Sequence, residues 1–180
     1  NLTVSGLSIA DLTGIVGFTS LEILFCDSNE LTNLNLINNT ALIQVYCSEN
    51  QLANIEVAGL NNLEILNCSF NQLPIIDFSG LSNLQVFDCS QNLLSSLDVS
   101  NLNLTDLNCS DNLLSTINVD GLYCEFTFDC SNNLLTSLDF SNAFAEQFSS
   151  DFNNLSYLNL QNGTNTAMWW PISTIGNPNL

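Results

Sequence analysis

The sequence contains no Lys, no Arg and no His in 180 residues, against 18 Asp and Glu, which gives a formal net charge of −18. Without cations, a chain cannot hold nucleic-acid phosphates or an anionic lipid surface through a basic patch, so nucleic acid is excluded as a partner by that route. The same absence removes the imidazole of a catalytic triad and the amine of a Schiff base. No glycine-rich phosphate loop or nucleophile elbow takes their place, and the chain is not expected to be an enzyme. No window approaches the roughly 18 uninterrupted apolar residues of a membrane-spanning helix, so no membrane insertion of this segment is expected. Asn1 opens neither with an initiator Met nor with a basic and then apolar signal segment, and the start is read as processed or truncated. Basic residues ordinarily supply about half of a charged fraction near 25%. Their absence has two open explanations: an acidic, cation-rich or saline setting, or basic positions entered as Asn, Ser, Ala or Asp when the sequence was assigned.

What is present argues for a folded chain. Apolar residues make up 46% and charged residues only 10%, so disorder is not expected, and 180 residues suit one domain. The decisive feature is a repeat. The segment Leu21-Glu22-Ile23-Leu24-Phe25-Cys26-Asp27-Ser28-Asn29-Glu30-Leu31 recurs as Leu42 to Leu52, Leu63 to Leu73, Leu84 to Leu94 and Leu104 to Leu114, with looser copies at Glu125 to Leu135 and Ala145 to Leu155. Its Asn falls at 29, 50, 71, 92, 112, 133 and 153, a period of 21 or 20 residues.

This is the leucine-rich-repeat pattern L-x-x-L-x-L/C-x-x-N-x-L. Each turn begins with a short strand such as Ile23 to Asp27, in which Leu24 and Cys26 point inward and their neighbours outward at period two. The recurring Asn sits where the chain turns sharply, and its side-chain amide can satisfy backbone groups that the turn leaves unpaired. A second apolar-polar-apolar signal follows in every repeat, from Leu34-Asn35-Leu36 through Ile76-Asp77-Phe78 to Leu158-Asn159-Leu160. The expected fold is a mainly β leucine-rich-repeat solenoid of about seven turns, with two parallel sheets and little helix. Its expected organisation is an irregular N-terminal turn over 1–20, the array over 21–160 and an irregular C-terminal turn over 161–180. The last residues read like the start of another turn, so the array is expected to continue beyond Leu180. Probable inward positions of the first turn are Val4, Leu7, Ile9, Leu12 and Ile15.

The run C-S-x-N-x-L-x-x-L-D-V-S, cleanest at Cys89-Ser90-Gln91-Asn92-Leu93-Leu94-Ser95-Ser96-Leu97-Asp98-Val99-Ser100, resembles the secreted leucine-rich repeats of Bacteroidota surface proteins. The opening Leu7-Ser8-Ile9-Ala10-Asp11-Leu12-Thr13-Gly14 is similar to the opening segment of such arrays, and internalin-type repeats are a more distant likeness. The resemblance covers nearly the whole chain. It implies secretion, a place at the cell surface, and adhesion or protein binding. The missing Lys departs from it, because such repeats usually carry Lys at exposed positions.

Six of the seven cysteines, Cys26, Cys47, Cys68, Cys89, Cys109 and Cys130, share one repeat position and should form a column. Zinc wants convergent tetrahedral ligands, and a disulfide wants side chains aimed at each other. Parallel in-register thiols supply neither, and they read as small buried hydrophobes. Cys124 falls outside the column. On the outward side of the first strand, Ile23, Phe25, Tyr46, Ile65 and Val86 gather on the N-terminal half, with Asp88 and Asp129 further along. The third outward column (Asp27, Ser48, Ser69, Ser90, Ser110, Ser131, Asp151) is likewise expected to face solvent. An exposed apolar cluster of this sort marks contact with a protein or glycan ligand, or burial under a neighbouring domain. Along the second strand, Glu56, Asp77 and Asp98 stack, either around a cation such as Ca²⁺ or as a solvated acidic face. No other cofactor is expected. Two roles remain open: an extracellular binding or adhesion module at a bacterial surface, or a structural subunit or stalk of a surface filament in which Trp169 and Trp170 mediate assembly with neighbouring subunits.

Overall fold

The computed structural model describes residues 1–161 and 172–180. It falls into two compact units, Asn1–Leu93 and Leu94–Leu180.

The first unit runs through β1 (Leu2–Thr3), a 3-10 helix (Thr13–Gly17), β2 (Ile23–Phe25), β3 (Asn33–Asn35), β4 (Gln44–Tyr46), β5 (Asn54–Glu56), β6 (Ile65–Asn67) and β7 (Val86–Asp88). Its main sheet has the order β1-β2-β4-β6-β7, every pair parallel, and β3 pairs with β5 in a second, short sheet. Registers such as Leu24↔Val45↔Leu66↔Phe87 place one residue per turn above the next. All four of these side chains are fully buried, as are Cys26, Cys47, Cys68 and Cys89. Each such Leu contributes about 2 kcal/mol of hydrophobic stabilisation. A repeat of 20 or 21 residues returns one apolar residue to the same place in every turn but leaves little room for a long helix, so a coil of short strands fits the period.

The second unit repeats the plan with β8 (Ser96–Asp98), β9 (Asn103–Asn108), β10 (Thr116–Asn118), β11 (Tyr123–Asp129), β12 (Ser137–Asp139), β13 (Phe144–Ser149) and β14 (Tyr157–Asn159). Here β11 lies between β9 and β13, while β8 pairs with β10 and β12 with β14, all in parallel. Phe128, Phe140 and Phe148 fill its core, with ring centroids 5.1–5.7 Å apart.

Four sequence expectations are corrected. Leu7 is not inward: it is 62% exposed and stands at the turn, while Leu2 and Val4 take the inward places of β1 and the residue after it. The sixth copy begins at Cys124, not Glu125, because Cys124 pairs with Leu104 and Ala145 and a bulge between Cys124 and Thr127 absorbs the extra residue. That also places the seventh cysteine, which is a buried substitute for the Leu that opens other turns. The strand expected at Ile76 to Phe78 shrinks to a single Glu56↔Asp77 bridge. Ala53 N–H bonds Thr32 O at 3.0 Å, but Pro74, at the same place one turn on, has no N–H to give. Finally, the serine column is not open to solvent, for a reason given below.

Candidate functional site

The outer face of the first unit's main sheet carries two in-register rows, Ile23↔Gln44↔Ile65↔Val86 and Phe25↔Tyr46↔Asn67↔Asp88. Alternation in the strands requires these side chains to point away from the core. All of them are half-buried, each shielded in part by its neighbours along the row. The Phe25 and Tyr46 rings stack with centroids 4.9 Å apart and planes 10° from parallel. The Tyr46 hydroxyl donates to Gln44 Oε1 at 3.5 Å. The result is an aromatic platform beside an aliphatic strip of Ile65 and Val86.

Asp88 closes this face in the first unit. Its Oδ1 accepts the Ser90 N–H at 3.0 Å and the Ser90 hydroxyl at 2.7 Å. Asn67 holds Ser69 in the same way, and in the second unit Asn108 holds Ser110 while Asp129 accepts the Ser131 N–H. This local turn tucks the serine hydroxyl under the strand end. Ser69, Ser90, Ser110 and Ser131 are therefore buried, none more than 8% exposed. Period-two alternation says outward, but at Ser69, Ser90 and Ser110 an Asx residue two positions earlier accepts the hydroxyl, and at Ser131 the hydroxyl pairs with Ser149 Oγ at 2.7 Å, so the chain can fold over it. Asp88 and Asp129 belong to different units, and in each the other carboxylate oxygen accepts no hydrogen bond among the described residues.

The acidic residues of the second strands have a similar local use. Glu56 accepts the Asn35 amide at 2.6 Å, Asp77 accepts the Ser79 N–H at 2.9 Å, and in the second unit Asp98 accepts the Ser100 N–H at 3.0 Å. Bonds from the Ser79 backbone and hydroxyl hold the Asp77 carboxyl below its ordinary value, and the Ser100 hydroxyl and backbone do the same for Asp98. Among the described residues, no three His, Cys, Asp or Glu side chains converge as metal ligands do. Trp169 and Trp170 lie outside the described residues.

Beneath the face runs the asparagine ladder. Asn71 Nδ2 donates to the carbonyls of Cys47, Cys68 and Ser69 at 3.0–3.1 Å, while its Oδ1 accepts the Leu52 N–H at 2.9 Å. Asn29, Asn50 and Asn92 repeat this in the first unit, Asn133 and Asn153 in the second. Asn177 takes the same role, accepting the Leu155 N–H and donating to Ser150 O, so residues 172–180 include another turn's ladder position. Next to the ladder the thiols act as weak donors: Cys47 to Asn67 O, Cys68 to Asp88 O and Cys130 to Ser149 O, at 3.4–3.5 Å. Burial pushes the Cys26 and Cys124 thiols up to about 12, and those of Cys47, Cys68, Cys89 and Cys130 upward as well. Burial favours the protonated thiol, the form that donates in these contacts.

Asn39 was not singled out by sequence reasoning. It is fully buried and donates to Ile15 O at 2.8 Å and Phe18 O at 3.0 Å, pinning the 3-10 segment to the stack. The signal was available, since Asn39 interrupts a column that continues with Leu60 and Leu81.

In-register columns of Leu, Cys and Asn, and a strand in each turn that stacks in parallel on the next, define a leucine-rich-repeat solenoid domain. Folds of this class are typically non-catalytic and present an extended surface to partners. The chain belongs to the family of the endo-β-N-acetylglucosaminidase EndoS leucine-rich-repeat domain, whose family model matches residues 1–92. Among solved structures it is similar to the functional domain of InlJ from Listeria monocytogenes, described as including a cysteine ladder. The TM-score is 0.59 at 23% identity, over 97% of this chain and 53% of that one. The chain thus spans about half the length of the InlJ domain. No curated protein sequence matches it.

Proposed function

We propose that the chain is a non-catalytic extracellular module that binds a protein or glycan at a bacterial surface, through the outer face of the first unit's main sheet. The observation that carries this reading is the stacked Phe25–Tyr46 pair beside Ile23, Ile65 and Val86, on the sheet face that points away from the core. Flat aromatic platforms suit sugar rings and apolar side chains alike, and Tyr is a favoured anchor at interfaces. The free carboxylate oxygens of Asp88 and Asp129 add acceptors for hydroxyl or amide groups. Membership in a family typified by a glycosidase's leucine-rich-repeat domain, and a fold shared with a Listeria InlJ domain, support a surface or secreted setting. The test is glycan- and protein-array binding with the purified chain, followed by Phe25→Ala and Tyr46→Ala. Loss of the array signal with an unchanged melting temperature is expected. Retained binding would overturn the assignment of this face, and polymers by light scattering would favour a structural subunit instead.

A further inference from the structure

Behind the first unit's main sheet, the first turn separates from the second. Rungs between them continue to Glu30 N–H with Ile9 O at 2.9 Å, after which the first turn winds into the 3-10 helix Thr13–Gly17 instead of a strand. β3 therefore has a strand neighbour on one side only, β5. In a parallel pair, alternate residues address opposite sides. Ala53 N–H bonds Thr32 O and Leu36 N–H bonds Glu56 O, so the even-numbered residues of this stretch face β5. The backbone N–H and C=O groups of Asn33 and Asn35 then face away from it, and among the described residues no backbone group of the first turn meets them. They border a cleft of about 540 Å³, whose opposite wall includes Leu12, Ile15 and Val16.

An unpaired strand edge is a template for another strand, and proteins usually blunt it with Lys, Pro or a covering loop. The β3 sequence Asn-Leu-Asn has none of the blunting residues. We propose that this cleft receives an extended segment of a partner protein, added beside β3 as a further parallel or antiparallel strand, in which apolar residues alternate with Lys or Arg. Backbone bonds to Asn33 and Asn35 supply affinity, and side-chain pockets supply selectivity, as in other strand-addition sites. Residues level with Leu34 turn inward against Leu12, Ile15 and Val16. Residues level with Asn33 and Asn35 turn outward, toward Asp11 on the cleft wall and Glu56, which is bonded to Asn35. Charge selects the partner. This chain holds 18 carboxylates and no basic side chain, so a second copy or any acidic segment meets repulsion, and a basic strand meets attraction.

The probe is a short capped peptide of alternating Val and Lys, titrated into the whole chain while amide exchange is followed by NMR. Binding should protect the Asn33 and Asn35 amides and leave those on the outer face of the main sheet unchanged. Replacing Lys by Glu, or methylating the peptide nitrogens that pair with β3, should each weaken binding at least about tenfold. Asn33→Pro removes an edge donor that does not serve β5. Val16→Lys adds a positive charge to the cleft wall at an exposed position, and so tests the cleft if the proline variant fails to fold. Both should weaken binding, and Tyr46→Ala should not. Absence of binding, protection elsewhere than Asn33 and Asn35, or equal affinity for the N-methylated peptide would overturn the proposal.

Discussion

Replacing Asn71 by Ala isolates one rung of the ladder, and the size of the loss follows from which groups are stranded. Three carbonyls lose a donor, but each keeps another: Cys47 O has Asn50 Nδ2, Cys68 O has Asn92 Nδ2, and Ser69 O has the Glu49 N–H. The Leu52 N–H has no second acceptor among the described residues, and it is buried. An orphaned buried donor costs about 1–3 kcal/mol, and three weakened carbonyl contacts add about 0.5 kcal/mol each, so Asn71→Ala should lose about 3 kcal/mol. Asn71→Asp sharpens the test. It keeps the acceptor for Leu52 but sets an anionic oxygen against carbonyls that Nδ2 now approaches at 3.0–3.1 Å. Its carboxyl should therefore titrate above the unfolded value in the folded state, since only the protonated form can donate. The destabilisation should be largest at neutral pH and shrink as pH falls through that raised value. Urea unfolding followed by circular dichroism at pH 7 and pH 4 measures both variants. A loss below about 1 kcal/mol for Asn71→Ala, or an Asn71→Asp penalty independent of pH, would refute the ladder as the element that closes the turns.

Ser150 stands where other turns place a ladder cysteine; it is fully buried, and its hydroxyl has no partner among the described residues. Ser150→Cys should raise stability by about 1 kcal/mol, seen as a higher urea midpoint. A thiol reagent at pH 8 should leave all seven cysteines unmodified in the folded chain and label all of them in urea. Because burial raises the thiol values in the fold, the stability they contribute is complete below the unfolded value of 9.0 and is lost as pH climbs above it, so the melting temperature should drop in alkaline buffer. The carboxyls of Asp11, Asp77, Asp98 and Asp139 are lowered by hydrogen bonds from Thr13, Ser79, Ser100 and Ser141. Their contribution is present above 3.8 and disappears below it, while acidification from pH 7 first relieves self-repulsion among the carboxylates. The melting temperature should therefore rise on mild acidification and then fall below 3.8, whereas a monotonic profile would contradict that balance. Millimolar Ca²⁺ should leave the melting temperature unchanged, since Glu56 and Asp77 are each occupied by local donors. A rise of several degrees would place an ion between them.

The inward columns were legible because a solenoid repeats one environment, so a residue that fits once recurs at the period and stands out from a variable surface. Cys26 and its equivalents, and Asn29 and its equivalents, were readable for that reason. The departures came from local chemistry that periodicity does not encode. Ser69 looks like a surface residue until Asn67 is seen to hold its hydroxyl, and Pro74 looks like any other loop residue until the missing N–H is set against the Ala53 rung. The bulge at Cys124 to Thr127 shifted one repeat because strand alternation could not tell which residue was extra. Of the candidate face, the positions of Ile23, Phe25, Tyr46, Ile65 and Val86 were legible from alternation alone. The stacking of Phe25 on Tyr46 was not, since it depends on the register between β2 and β4.

The residue just before each ladder asparagine shows why function is harder to read here than fold. In the first unit these are Ser28, Glu49, Phe70 and Gln91, all held at φ near +53°, a region that costs a non-glycine residue roughly 1–2 kcal/mol. The neighbouring Asn supports this conformation by bonding three carbonyls and one amide across the turn, so the side chain at the left-handed position has no part in closing it. Phe70 can therefore stand 55% exposed where Ser28 stands one way along the array and Gln91 the other. When the backbone is closed by one in-register side chain, the left-handed position beside it can vary in chemistry without changing the coil, and only that chemistry records what it meets.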